Sequence, residues 1–128
     1  MCGITGIIHS DRTAKVRESD LRCMVDSLIH RGPDDSGTYF NCNIGLGFRR
    51  LSIIDLSSGH QPFISDDKMT VVVFNGEIYN YIELRQDLIS KGYVFKTNSD
   101  TEVLLTTYLE YGLKCLDLLI GMFSFAIY

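Results

Sequence analysis

No apolar run in this 128-residue chain approaches the ~18 residues that a membrane-spanning helix needs. The longest, Met69–Phe74 and Leu116–Ile120, have the size of core segments. There is no basic stripe either. Twelve Lys and Arg stand against sixteen Asp and Glu, and the net charge of −4 argues against a nucleic-acid surface. None of the four cysteines, Cys2, Cys23, Cys42 and Cys115, forms a CxxC pair, and His9, His30 and His60 do not cluster with them, which argues against a zinc site. Cys23, Cys42 and Cys115 are expected to act as small buried apolar residues in a reducing, cytoplasmic setting. No basic region precedes Ile4–Ile8, and Thr5 and Gly6 interrupt that stretch, so it lacks the pattern of a secretory leader. Repeats, low-complexity tracts and a Gly-rich phosphate loop are also missing.

What is present fits one globular domain with one core: 45% hydrophobic and 22% charged residues, over a length too short for two domains. The opening Cys2–Ile8 reads as a short buried strand. Ser19 is the expected N-cap of a helix carrying Leu21, Met24, Val25, Leu28 and Ile29 on one stripe, which stops before Gly32-Pro33. Strands are expected around Thr38–Phe40 and Ile44–Phe48, with a turn at Asn41–Asn43. A further turn falls at Ser57–Gly59, and Asp66–Lys68 leads into a strand at Met69–Phe74. Asn80 with Glu83 and Ser99 with Glu102 match the capping box, predicting helices that end at Gly92 and Gly112. Tyr93–Thr97 is expected as a strand, a short helical segment follows near Leu116, and Met122–Tyr128 alternates as a last strand. Helices and hairpins come in separate blocks, which indicates α+β rather than a doubly wound parallel sheet. That last strand has no partner following it, so the sheet looks unfinished and a dimer or poor solubility is expected.

Five places carry residues suited to chemistry, each with an ordinary structural alternative. Once Met1 is removed, Cys2 has a thiol and an α-amino group titrating near ~7.7–8.0, a nucleophile and its base on one residue. The alternative is a buried strand cysteine. Arg50 offers a planar fork that matches a carboxylate, or is a surface arginine beside a structural Arg49. Asn75 and Gly76 provide a side-chain and a backbone N–H for a developing oxyanion, or a two-residue hairpin turn. The helix expected after them weakens the hairpin reading. Asp100, helped by Glu77, is an acid for an ammonium group, or a first-turn residue favoured by the helix dipole. Arg31–Asp34 is a solvated turn or a buttress to a pocket.

Taken in order, Cys2-Gly3-Ile4-Thr5-Gly6-Ile7, His30-Arg31-Gly32-Pro33-Asp34, Arg50-Leu51-Ser52-Ile53-Ile54-Asp55, Phe74-Asn75-Gly76-Glu77-Ile78-Tyr79-Asn80, Ser99-Asp100-Thr101-Glu102 and Gly121-Met122-Phe123-Ser124-Phe125-Ala126 resemble the class II glutamine amidotransferases. These are N-terminal-nucleophile hydrolases, and the segments look most like those of the glutamine-dependent asparagine synthetases. The resemblance spans nearly the whole chain.

It implies a four-layer αββα sandwich over residues 1–128, incomplete at its C-terminal end. It also implies a glutaminase that converts glutamine to glutamate and ammonia through a thioester on Cys2. Asn75 and Gly76 would form the oxyanion hole. Arg50, the backbone of Leu51, Ser52, Ile53 and Ile54, and Glu77 and Asp100 would bind the amino-acid end of glutamine. No metal or cofactor is expected in this chain. ATP and Mg, with aspartate as acceptor, would belong to a separate synthetase domain. The partners expected are therefore L-glutamine and that domain, with a homo-oligomer possible and neither nucleic acid nor membrane involved. Two other readings stay open: a glutaminase serving a sugar or cell-surface precursor, and a non-catalytic fragment or binding module.

Overall fold

The structure is a computed structural model that describes residues 2–51 and 60–128. The turn expected at Ser57–Gly59 lies outside the described residues. Two three-stranded antiparallel sheets form the middle of the molecule. The first is ordered β1-β3-β2, from β1 (Gly3–Ile8), β2 (Asp35–Asn41) and β3 (Ile44–Arg50). The second is ordered β4-β5-β6, from β4 (Phe63–Ile64), β5 (Val71–Ile78) and β6 (Gly121–Ile127). Helix α1 (Glu18–Ser27) covers the first sheet, while α3 (Asp100–Tyr111) covers the second and carries α2 (Tyr81–Ser90) on its flank. A short 3₁₀ helix, Gly112–Asp117, leads into β6. The layers are thus α, β, β, α, as expected.

Alternation along two central strands builds this stacking. On β3, Ile44, Leu46 and Phe48 are buried between the sheets with Val71 and Val73 of β5. The intervening Gly45 and Gly47 face α1. A Cβ on Gly47 would lie 2.4 Å from Val25 Cγ2, so the missing side chains are what let α1 sit down on the sheet. Continuing the alternation sends Arg49 to the α1 side. There its Nε donates to the Val25 carbonyl at 3.2 Å and its guanidinium meets Asp26 at 2.6 Å, which makes Arg49 structural. On β5, Val72, Phe74 and Ile78 face the opposite way and pack with Leu104 and Leu105 of α3. Burial on both faces explains why Val71–Phe74 is an unbroken apolar run rather than an alternating one.

Several expectations need correction. Ser19 lies inside α1, whose N-cap is Arg17. The Arg17 side chain pairs with Asp20 at 2.8 Å, so first-turn acids complement the helix dipole where a hydroxyl cap was expected. Only Leu21 and Val25 of the expected stripe are buried; Met24 and Ile29 are exposed. Asn80 does precede α2, but its side chain makes no cap bond. Instead its Nδ2 donates to the Leu118 carbonyl and its Oδ1 accepts from the Ile120 N–H, both at 2.9 Å, tying the entry of α2 to the chain before β6.

Ser99 caps α3 by accepting from the Glu102 N–H at 3.3 Å. Glu102 does not return the bond. It turns to the Lys96 and Thr97 N–H groups at 2.9 and 2.7 Å. Those donors are therefore satisfied without a neighbouring strand, and Tyr93–Thr97 is an irregular segment rather than the strand expected. Cys23 and Cys42 are exposed, against expectation, and only Cys115 is buried as foreseen. Among the described residues no helix is long and apolar enough to cross a membrane.

Candidate active site

Cys2 sits one residue before β1, where the register pairs Gly3 with Arg49 and hence sets Cys2 opposite Arg50. It packs against the apolar cluster between the two sheets, to which Val71 and Val73 belong. Its Sγ accepts from the Leu51 N–H at 3.4 Å. The segment Arg31–Asp34 fastens the same spot. The Arg31 Nε donates to the Cys2 carbonyl at 3.1 Å, and the Asp34 N–H donates to the Arg50 carbonyl at 3.0 Å. A Cβ on Gly32 would lie 2.5 Å from the Arg50 backbone nitrogen, so only glycine lets the loop come this close. The reading of Arg31–Asp34 as a buttress accounts for these contacts, whereas a free solvated turn does not.

The alternation that sends Arg49 outward returns Arg50 to the inner face. Near it, Asp35 accepts from His60 Nδ1 at 2.8 Å. Burial works to raise the pKa of Asp35, but the bonds from His60 and the Ser36 N–H, with the charges of His60 and Arg50, outweigh it. The carboxyl is held below its ordinary value.

Asn75-Gly76 is not a turn. Strand β5 runs straight through it to Ile78, in register with β6 along its whole length. The hairpin alternative therefore fails. Alternation places Asn75 and Glu77 on the face of Val71 and Val73, which meets the first sheet. Gly76 takes a φ of 151°, and a Cβ there would fall 2.3 Å from the Met122 carbonyl oxygen, which reserves the position for glycine.

Hydrogen-bonded pairs alternate in an antiparallel ladder. Val71 with Tyr128, and Tyr79 with Ile120, belong to the bonded set, at 2.7–2.9 Å. Gly76 is therefore in the other set, and its N–H points away from β6. Its neighbours on that edge are occupied: the Phe74 N–H by Gln61 Oε1 at 2.7 Å, and the Ile78 N–H by Asp100 Oδ2 at 3.1 Å.

Asp100 opens α3 at the end of β5. Its partial burial raises its pKa, the charge of Glu77 adds to this, and N–H donation from Ile78 and Thr101 opposes it. Asp100→Asn should therefore raise the thermal unfolding midpoint at neutral pH, since Asn keeps an acceptor for Ile78 and removes a desolvated charge. A carboxyl whose folded pKa is raised binds a proton on folding. Its stabilising contribution is fully present below the unfolded pKa and is lost as pH rises through the folded one. The gain of the Asn variant should accordingly shrink to nothing as pH falls through that window. A gain that is the same at acid and neutral pH would refute the account.

Among the described residues, the structure brings Cys2, Arg50 and Leu51 together on the first sheet, and Asn75, Gly76, Glu77 and Asp100 together on the second. Ser52, Ile53 and Ile54 lie outside the described residues. Sequence reasoning missed Gln61, which contacts β5 next to the Asn-Gly pair. A glutamine before a proline in a polar stretch gives no signal of such a role.

This order of motifs on an αββα sandwich has counterparts. The family model described as a glutamine amidotransferase domain matches residues 1–128, the whole chain. The chain belongs to the glutamine amidotransferase domain family. Over 130 residues, all of this amidotransferase domain and 21% of the relative, it is 46% identical to a glutamine-hydrolysing asparagine synthetase of Bacillus subtilis. An asparagine synthetase of Arabidopsis thaliana is 42% identical over 127 residues, 99% of the chain and 21% of the relative. The chain thus spans about a fifth of the length of the curated relatives it matches. The glutamine phosphoribosylpyrophosphate amidotransferase of B. subtilis superposes with a TM-score of 0.80 at 21% identity, over all of this chain and 35% of that one. That likeness shows that the amidotransferase domain has the N-terminal-nucleophile fold.

Proposed function

We propose that this domain hydrolyses L-glutamine as the ammonia source of an asparagine synthetase. The observation that carries the reading is the Gly76 N–H, aimed out of the β5 ladder, with Asn75 facing the interlayer space in which Cys2 packs. After removal of Met1, which lies outside the described residues, the Cys2 α-amino group takes the thiol proton and the thiolate attacks the side-chain amide carbon of glutamine. Asn75 and the Gly76 N–H receive the oxyanion. The C–N bond then breaks, the protonated amine returns its proton to the leaving nitrogen, and ammonia departs. Water cleaves the resulting thioester with the same amine as base, giving glutamate and the free thiol.

The charges support a zwitterionic ligand, with the Arg50 cation on one sheet and the Glu77 and Asp100 anions on the other. Arg50 takes the α-carboxylate, and Asp100 with Glu77 takes the α-ammonium. By the family resemblance, the backbone of Leu51, Ser52, Ile53 and Ile54 would contribute to the same pocket. The domain itself needs no metal or cofactor for this chemistry. The acceptor is aspartate activated by ATP with Mg in a separate synthetase domain, a reading supported by relatives about five times as long. The setting is cytoplasmic, where thiols such as Cys2 stay reduced.

The test is release of glutamate and ammonia in equal amounts by the Met1-processed chain. Arg50→Lys should lower kcat/KM for glutamine by at least about tenfold, mostly through KM, because an ammonium cannot make the bidentate clamp. Full activity in the Lys variant would refute the clamp, and an inactive processed wild-type chain would refute the glutaminase.

A further inference from the structure

Strand β4 is two residues long, so its ladder with β5 ends at the pairing of Phe63 with Val72. The chain before it cannot extend that ladder: Pro62 has no N–H, and the Gln61 carbonyl is turned toward β2, where a Cβ on Gly37 would lie 1.9 Å from it. The Gln61 side chain replaces the missing strand. Its Oε1 accepts the Phe74 N–H at 2.7 Å, and its Nε2 donates to Thr101 Oγ1 at 3.3 Å. Both side chains are buried, Gln61 at 5% exposure and Thr101 at 3%. Along this edge of β5 the N–H groups of Phe74 and Ile78 thus go to Gln61 and to Asp100, with the Gly76 N–H between them. Gln61 and Asp100 are joined in turn through Thr101, the residue after Asp100.

We propose that Gln61 is a positioning residue for glutamine hydrolysis: with Phe74 and Thr101 it closes a frame that holds the Gly76 N–H and the Asp100 carboxylate at a fixed separation. The proposal rests on the glutaminase reading given above. One buried amide sets the distance between the donor that stabilises the oxyanion and the acid that holds the α-ammonium. The frame therefore selects substrates whose amide lies one glutamine length from the amino group.

Thr101→Val keeps the shape of the residue, removes the acceptor of the Gln61 amide and leaves the Phe74 bond in place. Gln61→Met removes both bonds. In the processed full chain, Thr101→Val should lower kcat/KM for glutamine by about 10- to 10²-fold, with kcat falling and KM rising together. Thr101→Ser should restore it, and Gln61→Met should be at least as impaired as Thr101→Val. The amide resonance of Gly76, read without ligand, should shift in Thr101→Val and return in Thr101→Ser. A lowered unfolding midpoint with kcat, KM and the Gly76 resonance unchanged would make Gln61 merely structural and overturn the proposal. An active wild type with unmoved variants overturns this inference alone, whereas an inactive processed wild type overturns the functional reading and this one with it.

Discussion

Treatment of the Met1-processed chain with an electrophilic glutamine analogue should add one mass increment at Cys2, and Cys2→Ala should abolish both that label and glutamate release. This is the largest effect expected of any single change, because the α-amino base survives in Cys2→Ala but no thioester can form without the thiol. The geometry sharpens the experiment. Cys23 and Cys42 are exposed and Cys115 is buried, with its thiol pKa pushed up chiefly by that burial. A reagent that merely seeks accessible thiols would therefore mark Cys23 and Cys42, while one directed by the pocket would mark Cys2. Excess glutamine should protect Cys2 and leave any labelling of the other two unchanged. Cys2→Ala should keep the fold, since the Arg31 bond is to the Cys2 backbone carbonyl and survives loss of the thiol. Chain that retains Met1 should label poorly, because its Cys2 nitrogen is an amide and no longer a base. Labelling of Cys23 or Cys42 that glutamine suppresses, with Cys2 untouched in processed chain, would overturn the assignment of the nucleophile.

Most of the individual elements were legible in the sequence because they depend on local periodicity, whereas the αββα layering and the motif positions were legible only through the family resemblance. Alternation on β3 is an example: Ile44, Leu46 and Phe48 against Gly45 and Gly47 separates an inward from an outward face, but the expected strand stopped at Phe48, and only its observed extension to Arg50 separates Arg49 from Arg50 by face. The errors arise where side chains replaced backbone partners. Tyr93–Thr97 has strand composition, yet Glu102 takes the Lys96 and Thr97 N–H groups that a neighbouring strand would have used. Asn80 carries the signature of a cap and spends both ends of its amide on the 118–120 segment. The Glu102 contacts join residues 5 or 6 positions apart and the Asn80 contacts residues 38 or 40 apart, and neither kind leaves a periodic trace.

The candidate site shows the same division. Cys2, Arg50, Asn75, Gly76, Glu77 and Asp100 were singled out from residue chemistry and family resemblance; the fold sets Cys2 opposite Arg50 on the first sheet and joins Asp100 to the end of β5 that carries Asn75, Gly76 and Glu77 on the second. Gln61 was invisible because its role exists only after β4 ends two residues short of it. The ambiguity at Asn75-Gly76 was real at sequence level, since the same dipeptide suits a hairpin. Only the register of β5 with β6, unbroken from Val72 to Ile78, decides it.

That decision sets the second large effect. Asn75→Ala should lower the turnover of glutamine by about 10²–10³, the usual loss when one oxyanion donor is removed, while KM changes little. The two parameters separate because the side-chain N–H meets a full negative charge only in the tetrahedral intermediate; the ground-state amide oxygen is a weaker acceptor. The fold should tolerate the change. Asn75 belongs to a backbone-bonded pair with Ser124, and those ladder bonds do not involve its side chain. Gly76→Ala is a poor companion experiment, since its Cβ would strike the Met122 carbonyl and disturb β6 itself. A rise in KM with turnover unchanged would make Asn75 a ground-state contact. A loss of unfolding midpoint with both parameters intact would make it only a strand residue. The predicted split is therefore the one outcome that places a transition-state donor at this point of β5.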